Sequence, residues 1–126
     1  MPTTDCPCGR VSYATCCGPL HSGAREAETA EDLMRARFSG YALGALDYVF
    51  RTWHPRTRPA DVEPTTLRWT RLEILETLDG QASDAFGTVE FIAHYTDRGR
   101  PGRLHERSGF ERRRGRWFYL NAVSEK

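Results

Sequence analysis

The stretch TAEDLMRARFSGYALGA at residues 29–45 decides the fold, because it predicts a long amphipathic helix. Thr29 stands before the first helical turn and Asp32 follows three residues later, a shortened form of the capping box that begins many helices. Apolar residues then recur at spacings of three and four, which places them on one helical face. They are Ala30, Leu33, Met34, Phe38, Tyr41, Ala42 and Ala45. Gly44 marks the expected end of the helix.

Beyond this helix the apolar period changes from that of a helix to that of a strand. A short second helix, capped by Asp47, is expected to run to residue 50 and to stop at His54-Pro55. After a proline-rich loop at residues 55–64, alternation of apolar and polar residues predicts four strands. They lie around residues 72–78, 89–95, 104–112 and 117–123, with turns at 79–80, 99–102 and 113–115. Helices followed by antiparallel strands define an α+β domain.

All four cysteines fall in one short segment before the long helix, at Cys6, Cys8, Cys16 and Cys17. Disulfides are the alternative, but we see no secretion signal, and reduced thiols clustered in this way favour a metal. Four thiolates suit Zn²⁺, which binds sulfur tetrahedrally at about 2.3 Å and then has no open position for water. We therefore predict one structural zinc ion. His21 is close enough to replace a cysteine, and we rank it behind Cys17.

Two groups of residues resemble known families. The run Cys6-Pro7-Cys8-Gly9 followed by Cys16-Cys17-Gly18 resembles the SEC-C zinc motif, also found in the bacterial preprotein translocase ATPase SecA, although seven residues rather than the usual eight separate the pairs. The rest of the chain resembles the YchJ family, also called UPF0225. The matching segments are MRARFSGY at 34–41, TWHP at 52–55, ERSGF at 106–110 and GRWFY at 115–119.

The resemblance implies a bacterial protein of uncharacterised function with an NTF2-like fold. In that fold N-terminal helices pack on a curved antiparallel sheet, and the two enclose a cone. We expect a zinc knuckle at residues 1–23 and an NTF2-like α+β domain at residues 24–126. A chain of 126 residues is long enough to bury a core without a metal, so we expect the α+β body to fold without zinc.

Several aromatic and polar residues are candidates to line the cone. They are Tyr41, Trp53, His54, Trp69, Glu106 and Ser108, with Glu90 and His94 expected outside it or at its mouth. Glu106 is in phase with the inward residues of its strand, where a buried carboxylate needs a partner. The candidates for that partner are Arg35, Arg37 and Arg107. We favour a structural role for Glu106 and for His54 over an acid-base pair between them.

Charge and hydropathy restrict the function classes. Residues 97–126 hold nine Arg or Lys against four Asp or Glu, although the whole chain has a net charge of only +1. The arginine cluster at residues 112–116 is not interleaved with aromatic residues, so we do not expect nucleic-acid binding. No apolar run approaches the roughly 20 residues that cross a bilayer, and we expect a cytoplasmic protein.

The function that these features favour is a non-enzymatic binding module. The zinc knuckle is expected to contact a protein partner, and the cone to bind a small ligand. The first alternative is a small-molecule enzyme in which Glu106 and His54 act as acid and base. The second alternative is nucleic-acid binding through the C-terminal arginine hairpin.

Overall fold

The structure, a computed structural model, describes residues 6–10, 12–62 and 66–125. Residues 1–5 and 11 of the predicted zinc knuckle, 63–64 of the predicted proline-rich loop and 126 of the predicted α+β domain lie outside these ranges. Within them the chain forms a 3-10 turn at Tyr13–Thr15 and three helices: α1 at Cys17–Ser22, α2 at Ala30–Leu43 and α3 at Leu46–Arg51. Four strands follow: β1 at Leu67–Asp79, β2 at Phe86–Asp97, β3 at Arg100–Arg113 and β4 at Arg116–Glu125.

Helix α2 begins and ends where its sequence signals predict. The Thr29 hydroxyl accepts the backbone N–H of Asp32 at 3.0 Å, which satisfies a donor that the helix itself leaves unpaired. At the other end Gly44 adopts the left-handed conformation, with φ of 79°. Both expectations for this helix are confirmed.

Helix α3 differs from the prediction at its N-terminus. Ala45 is its N-cap and Asp47 lies inside its first turn, so the prediction that Asp47 caps the helix is wrong. The helix ends at Arg51, before His54, because the next residues pair with β4. Tyr119 donates its backbone N–H to Thr52 O at 2.9 Å, and His54 donates to Tyr119 O at 2.7 Å. This pairing covers an edge of the sheet that would otherwise be open.

The sheet is a simple antiparallel meander in the order β1-β2-β3-β4. Two of its turns are two-residue hairpins, Arg98-Gly99 and Arg114-Gly115, and all four residues have positive φ. Such turns match the natural twist of the paired strands. The turn predicted at residues 99–102 therefore closes earlier than expected, and Gly102 already belongs to β3. A Cβ there would lie 2.6 Å from the Tyr95 ring, which explains the glycine.

Irregular pairing curves the sheet around α2. Register shifts interrupt the β1–β2 pair at two places and the β3–β4 pair at two others. The inward face of β2 contributes the buried Val89, Phe91 and Ala93, and Leu33 and Phe38 of α2 are buried with them. The result is the predicted α+β cone, with helices packed on a curved four-stranded antiparallel sheet.

The cysteine segment is packed into the same core. Cys6, Cys8, Cys17 and Leu20 are buried and belong to the hydrophobic cluster that contains Leu33 and the inner strand residues. The boundary predicted between residues 23 and 24 stays a prediction, but the two parts share one core. Among the described residues, no helix has both the length and the apolar character needed to span a bilayer.

Candidate functional site

The four cysteine sulfurs form a cluster between the N-terminal loop and α1. The Sγ atoms of Cys6, Cys8, Cys16 and Cys17 all lie within 4.8 Å of one another. Cys8 Sγ is 3.5 Å from Cys16 Sγ, which is 3.7 Å from Cys17 Sγ. Tetrahedral metal–sulfur bonds of about 2.3 Å would place sulfurs about 3.8 Å apart. The donor set therefore fits a metal that prefers thiolates.

Two glycines give the segment its local shape. Gly9 has φ of 101°, which turns the chain after the first cysteine pair. Gly18 is needed for a different reason, since a Cβ there would lie 2.8 Å from the carbonyl oxygen of Tyr13. The close approach of these backbones brings the second cysteine pair to the first.

Burial and hydrogen bonds between the sulfurs shift the pKa values of Cys8, Cys16 and Cys17. Hydrogen bonding, chiefly with Cys17, lowers the pKa of Cys8 to about 4. Burial, followed by the hydrogen bond and charge of Cys8, raises the pKa of Cys16 to about 11. The hydrogen bond with Cys8 and burial also raise the pKa of Cys17. These shifts favour negative charge on Cys8 and protons on Cys16 and Cys17, and a bound cation would displace those protons.

Two side chains of helix α2 make polar contacts with the cysteine cluster and its loop. The Ser39 hydroxyl lies 3.4 Å from Cys6 Sγ and 3.3 Å from Cys17 Sγ, and it is fully buried. Arg35 donates to Cys8 O at 2.7 Å and to Glu31 at 2.9 Å. Such contacts hold ligating side chains in place and tune the charge on their donor atoms.

His21 ties α1 to α2 and is not positioned as a ligand. Its Nε2 lies 2.8 Å from Ala36 O, and its Nδ1 lies 2.7 Å from the Tyr13 hydroxyl. Because a carbonyl only accepts, Nε2 carries the hydrogen and Nδ1 accepts the Tyr13 O–H. Both ring nitrogens are thereby used, and the ring also packs on Tyr48 at 4.8 Å between centroids.

A cavity of about 250 Å³ lies between α2 and the concave face of the sheet. Five of the six predicted lining residues do line it: Tyr41, Trp53, Trp69, Glu106 and Ser108. Trp69 packs edge-on against Phe38 and Tyr95 at the cavity wall. Arg37 and Tyr119 also line the cavity, and neither was among the predicted lining residues.

Glu106 is held by hydroxyl groups rather than by an arginine. Its Oε2 accepts from Ser108 Oγ at 2.6 Å and from the Tyr119 hydroxyl at 3.4 Å. Burial and the nearby Glu106 charge raise the pKa of Tyr119, so its hydroxyl stays protonated and can donate. The expected arginine partners are engaged elsewhere: Arg35 contacts the cysteine loop, and Arg107 pairs with Glu90 at 2.9 Å.

Arg37 lines the cavity and is buried. It is only 4% exposed, and its Nη1 donates to Val49 O at 2.7 Å and to the Thr52 hydroxyl at 2.9 Å. The guanidinium lies over the rings of Trp53 and Tyr119, 5.0 and 4.6 Å from their centroids. Burial lowers its pKa to about 10, so it remains a cation at neutral pH. In the sequence, Arg37 lies within the apolar stripe of α2, and this position was the signal that it would be buried.

The comparisons with known proteins agree with this architecture. Residues 29–122 match the family described as YchJ, middle NTF2-like domain. A UPF0225 protein of Streptomyces coelicolor is 55% identical over an alignment of 124 residues that covers 96% of each chain. The chain belongs to the UPF0225 family. A UPF0225 protein of Bordetella pertussis is 44% identical and matches 92% of this chain and 90% of its own.

Two solved structures resemble this UPF0225 protein along nearly its whole length. The solution structure of a SEC-C motif containing protein from Rhodopseudomonas palustris has a TM-score of 0.83, with 32% identity, 98% of this chain covered and 99% of the other. A crystal structure of such a protein from Psychrobacter arcticus has a TM-score of 0.80 and 24% identity, with coverage of 99% and 85%. This second likeness concerns the fold alone.

The UPF0225 structure does not bring His54 and Glu106 together, which corrects the place of His54 among the cavity residues. His54 Nε2 lies 2.8 Å from Glu111 Oε1, and its Nδ1 accepts the backbone N–H of Arg56 at 3.1 Å. His54 is absent from the cavity wall because its segment pairs with the outer edge of β4. The acid-base pair that the enzyme alternative requires is therefore not formed.

The remaining candidates lie on the outside of the UPF0225 fold. Glu90 pairs with His105 at 2.7 Å, and His94 lies 3.3 Å from Glu73, both on the face of the sheet opposite the cavity. The exposed arginines at the β3–β4 hairpin, Arg113, Arg114 and Arg116, surround a separate groove with Phe118.

Proposed function

We propose that this UPF0225 protein is a binding module in which a structural zinc ion supports a cavity for a small ligand. The observation that carries the proposal is that α2 contacts both sites. Its Ser39 touches two cysteine sulfurs, and its Arg37 and Tyr41 line the cavity. A metal on one face of the helix can thereby fix the wall of a cavity on another.

Zinc is the metal that the donor set favours. Four thiolates with a tetrahedral spacing form a closed shell without a position for water, which is typical of structural zinc. Elemental analysis of protein purified without added metal should find one zinc per chain, and none in Cys8→Ser. Iron in place of zinc, or a Cys8→Ser variant that keeps a full equivalent of zinc, would contradict the assignment.

The walls of the cavity favour a small, largely apolar ligand. Aromatic side chains predominate, a few polar groups lie among them, and the volume is just below the range of about 300–1,000 Å³ usual for ligand sites. Titration with a library of aromatic fragments should shift the indole NMR resonances of Trp53 and Trp69 but not that of Trp117, which is buried elsewhere in the core. A library with no binder would count against a ligand site.

We also propose that the knuckle binds a protein partner and that the protein is located in the cytoplasm. Ala14 and Thr15 are exposed on the knuckle. A reducing compartment would keep the sulfurs available to the metal. A partner captured by the wild-type protein should be lost with Ala14→Arg and retained with Ser22→Arg, an exposed change at the end of α1. Equal capture by both variants would rule out a contact through residues 14–15.

A further inference from the structure

Arg37 has more hydrogen-bond donors than the protein uses. A guanidinium carries five N–H groups, and the two contacts described for Arg37 both involve Nη1. Nε and Nη2 have no partner among the described residues, and no carboxylate of that part of the chain pairs with the cation. A buried cation without a paired anion is costly, since burial removes its hydration. Because Arg37 lines the cavity, a ligand there can reach it.

Trp53 supplies a second unused donor beside Arg37. Its indole Nε1 is buried and has no hydrogen-bond partner in the described part of the chain. Trp53 also lines the cavity, and the Arg37 guanidinium lies 5.0 Å from its ring centroid. Buried polar groups in folded proteins are nearly always paired, so the unpaired indole N–H of this cavity-lining residue calls for an acceptor.

Glu106 is the charge that opposes an anionic ligand. It lines the same cavity, but it is only half-buried and its Oε2 already accepts from Ser108 and Tyr119. Arg37 is nearly fully buried, so its side chain is more desolvated than that of Glu106. Electrostatic attraction is stronger where solvent is excluded, and the cation therefore dominates the choice of ligand.

We propose that the cavity binds a small carboxylate with an aromatic or aliphatic body, whose anionic group pairs with Arg37 and accepts the Trp53 indole N–H. The inference rests on the ligand-binding function proposed above and names its ligand class. Arginine recognises carboxylates through paired N–H donors, and hydrogen bonds to a charged group are roughly twice as strong as neutral ones. The surrounding rings would cover the apolar body of the ligand.

The test compares three probes of similar size with the zinc-loaded full chain: phenylacetate, 2-phenylethanol and 2-phenylethylamine. Calorimetric titration at pH 7 should show that phenylacetate binds at least about tenfold more tightly than the alcohol, as expected for a charge-assisted hydrogen bond. The amine should bind most weakly. Binding of the alcohol or the amine as tightly as phenylacetate overturns the carboxylate assignment and leaves the ligand site intact. Failure of all three probes overturns both.

Two variants keep the test independent of folding. Trp53→Phe preserves an aromatic ring but removes the indole N–H. It should lower the affinity for phenylacetate about tenfold and change the affinity for 2-phenylethanol less than about threefold. Glu106→Gln removes the opposing charge and should raise the affinity for phenylacetate, with little effect on the affinity for 2-phenylethanol. Arg37→Met is less informative alone, because Arg37 also bonds α3 through Val49. Equal effects of Trp53→Phe on both probes would contradict the proposed contact.

Discussion

The cysteine cluster and the cavity share helix α2 but differ in how their polar groups are satisfied. Around the cluster, Ser39, Arg35 and His21 each have named partners. At the cavity, the described residues leave part of the Arg37 guanidinium and the Trp53 indole N–H without one. Satisfied buried networks fix a structure, and unsatisfied ones indicate where something else binds. The difference supports the structural role proposed for the cluster and the binding role proposed for the cavity.

Loss of the metal should lower the stability of the protein more than any other change considered. A small loss of stability would contradict the structural role of the cluster. Cys8 is fully buried in the shared core, so Cys8→Ser should lose the metal and lower the free energy of unfolding by more than about 3 kcal/mol. Thermal unfolding with and without a chelator measures this change. Ala14→Ser, in the exposed part of the same knuckle, is the matched control and should unfold like the wild type. A Cys8→Ser variant of wild-type stability would show that the cluster is peripheral.

His21 tests the link between α1 and α2. His21→Ala removes two hydrogen bonds and leaves the Tyr13 hydroxyl without its partner, which should cost about 2 kcal/mol. The matched control is His105→Ala on the outer face of the sheet, where the pair with Glu90 is worth at most about 1 kcal/mol. Urea unfolding compares the two. Similar losses in both variants would contradict an anchoring role for His21.

Two buried serines sharpen the comparison further, because one lies on each side. Ser39→Ala removes the hydroxyl beside two sulfurs and should weaken metal affinity about tenfold, without changing ligand affinity in the cavity. Ser108→Ala should weaken ligand affinity in the cavity without changing metal affinity, since the Ser108 hydroxyl donates to Glu106. Competition with a chromophoric chelator measures the metal, and probe titration measures the cavity. Metal affinity lowered equally in both variants would mean that the sides are not distinct.

The arginine hairpin should show the smallest effect, since it belongs to neither side. Replacing Arg113, Arg114 and Arg116 by Ser should change stability by no more than about 0.5 kcal/mol, as is usual for exposed residues. Metal content and probe affinity should stay unchanged. We also expect no specific RNA binding at physiological salt. A nucleic-acid affinity that falls steeply with salt, and disappears in this variant, would favour the alternative function instead.

The local features of this fold could be predicted from the sequence. The Thr29 cap, the Gly44 stop and the alternation along β2 depend on neighbouring residues, and the structure has all three. The cysteine cluster likewise required only the crowding of four thiols in one segment. Such signals arise from geometry within a few residues, so a single chain is enough to recognise them.

Features that depend on distant contacts could not be predicted in the same way. His54 lies outside the cavity because its segment pairs with β4, more than sixty residues later in the chain. Arg37 bonds α3 rather than Glu106, and its deep burial depends on how α2 meets the sheet. The packing of the knuckle into the core has the same origin, since Ser39 reaches cysteines far earlier in the sequence.

The most direct test of the account is amide hydrogen exchange in α2 before and after metal removal. If the cluster is part of the core, chelation should reduce protection in the middle of α2, at residues 34–41, on the cavity side as well as the cysteine side. The β2 strand in the centre of the sheet should lose less protection from exchange. Protection of α2 that is unchanged by chelation would contradict the account, because the metal would then support only the knuckle itself.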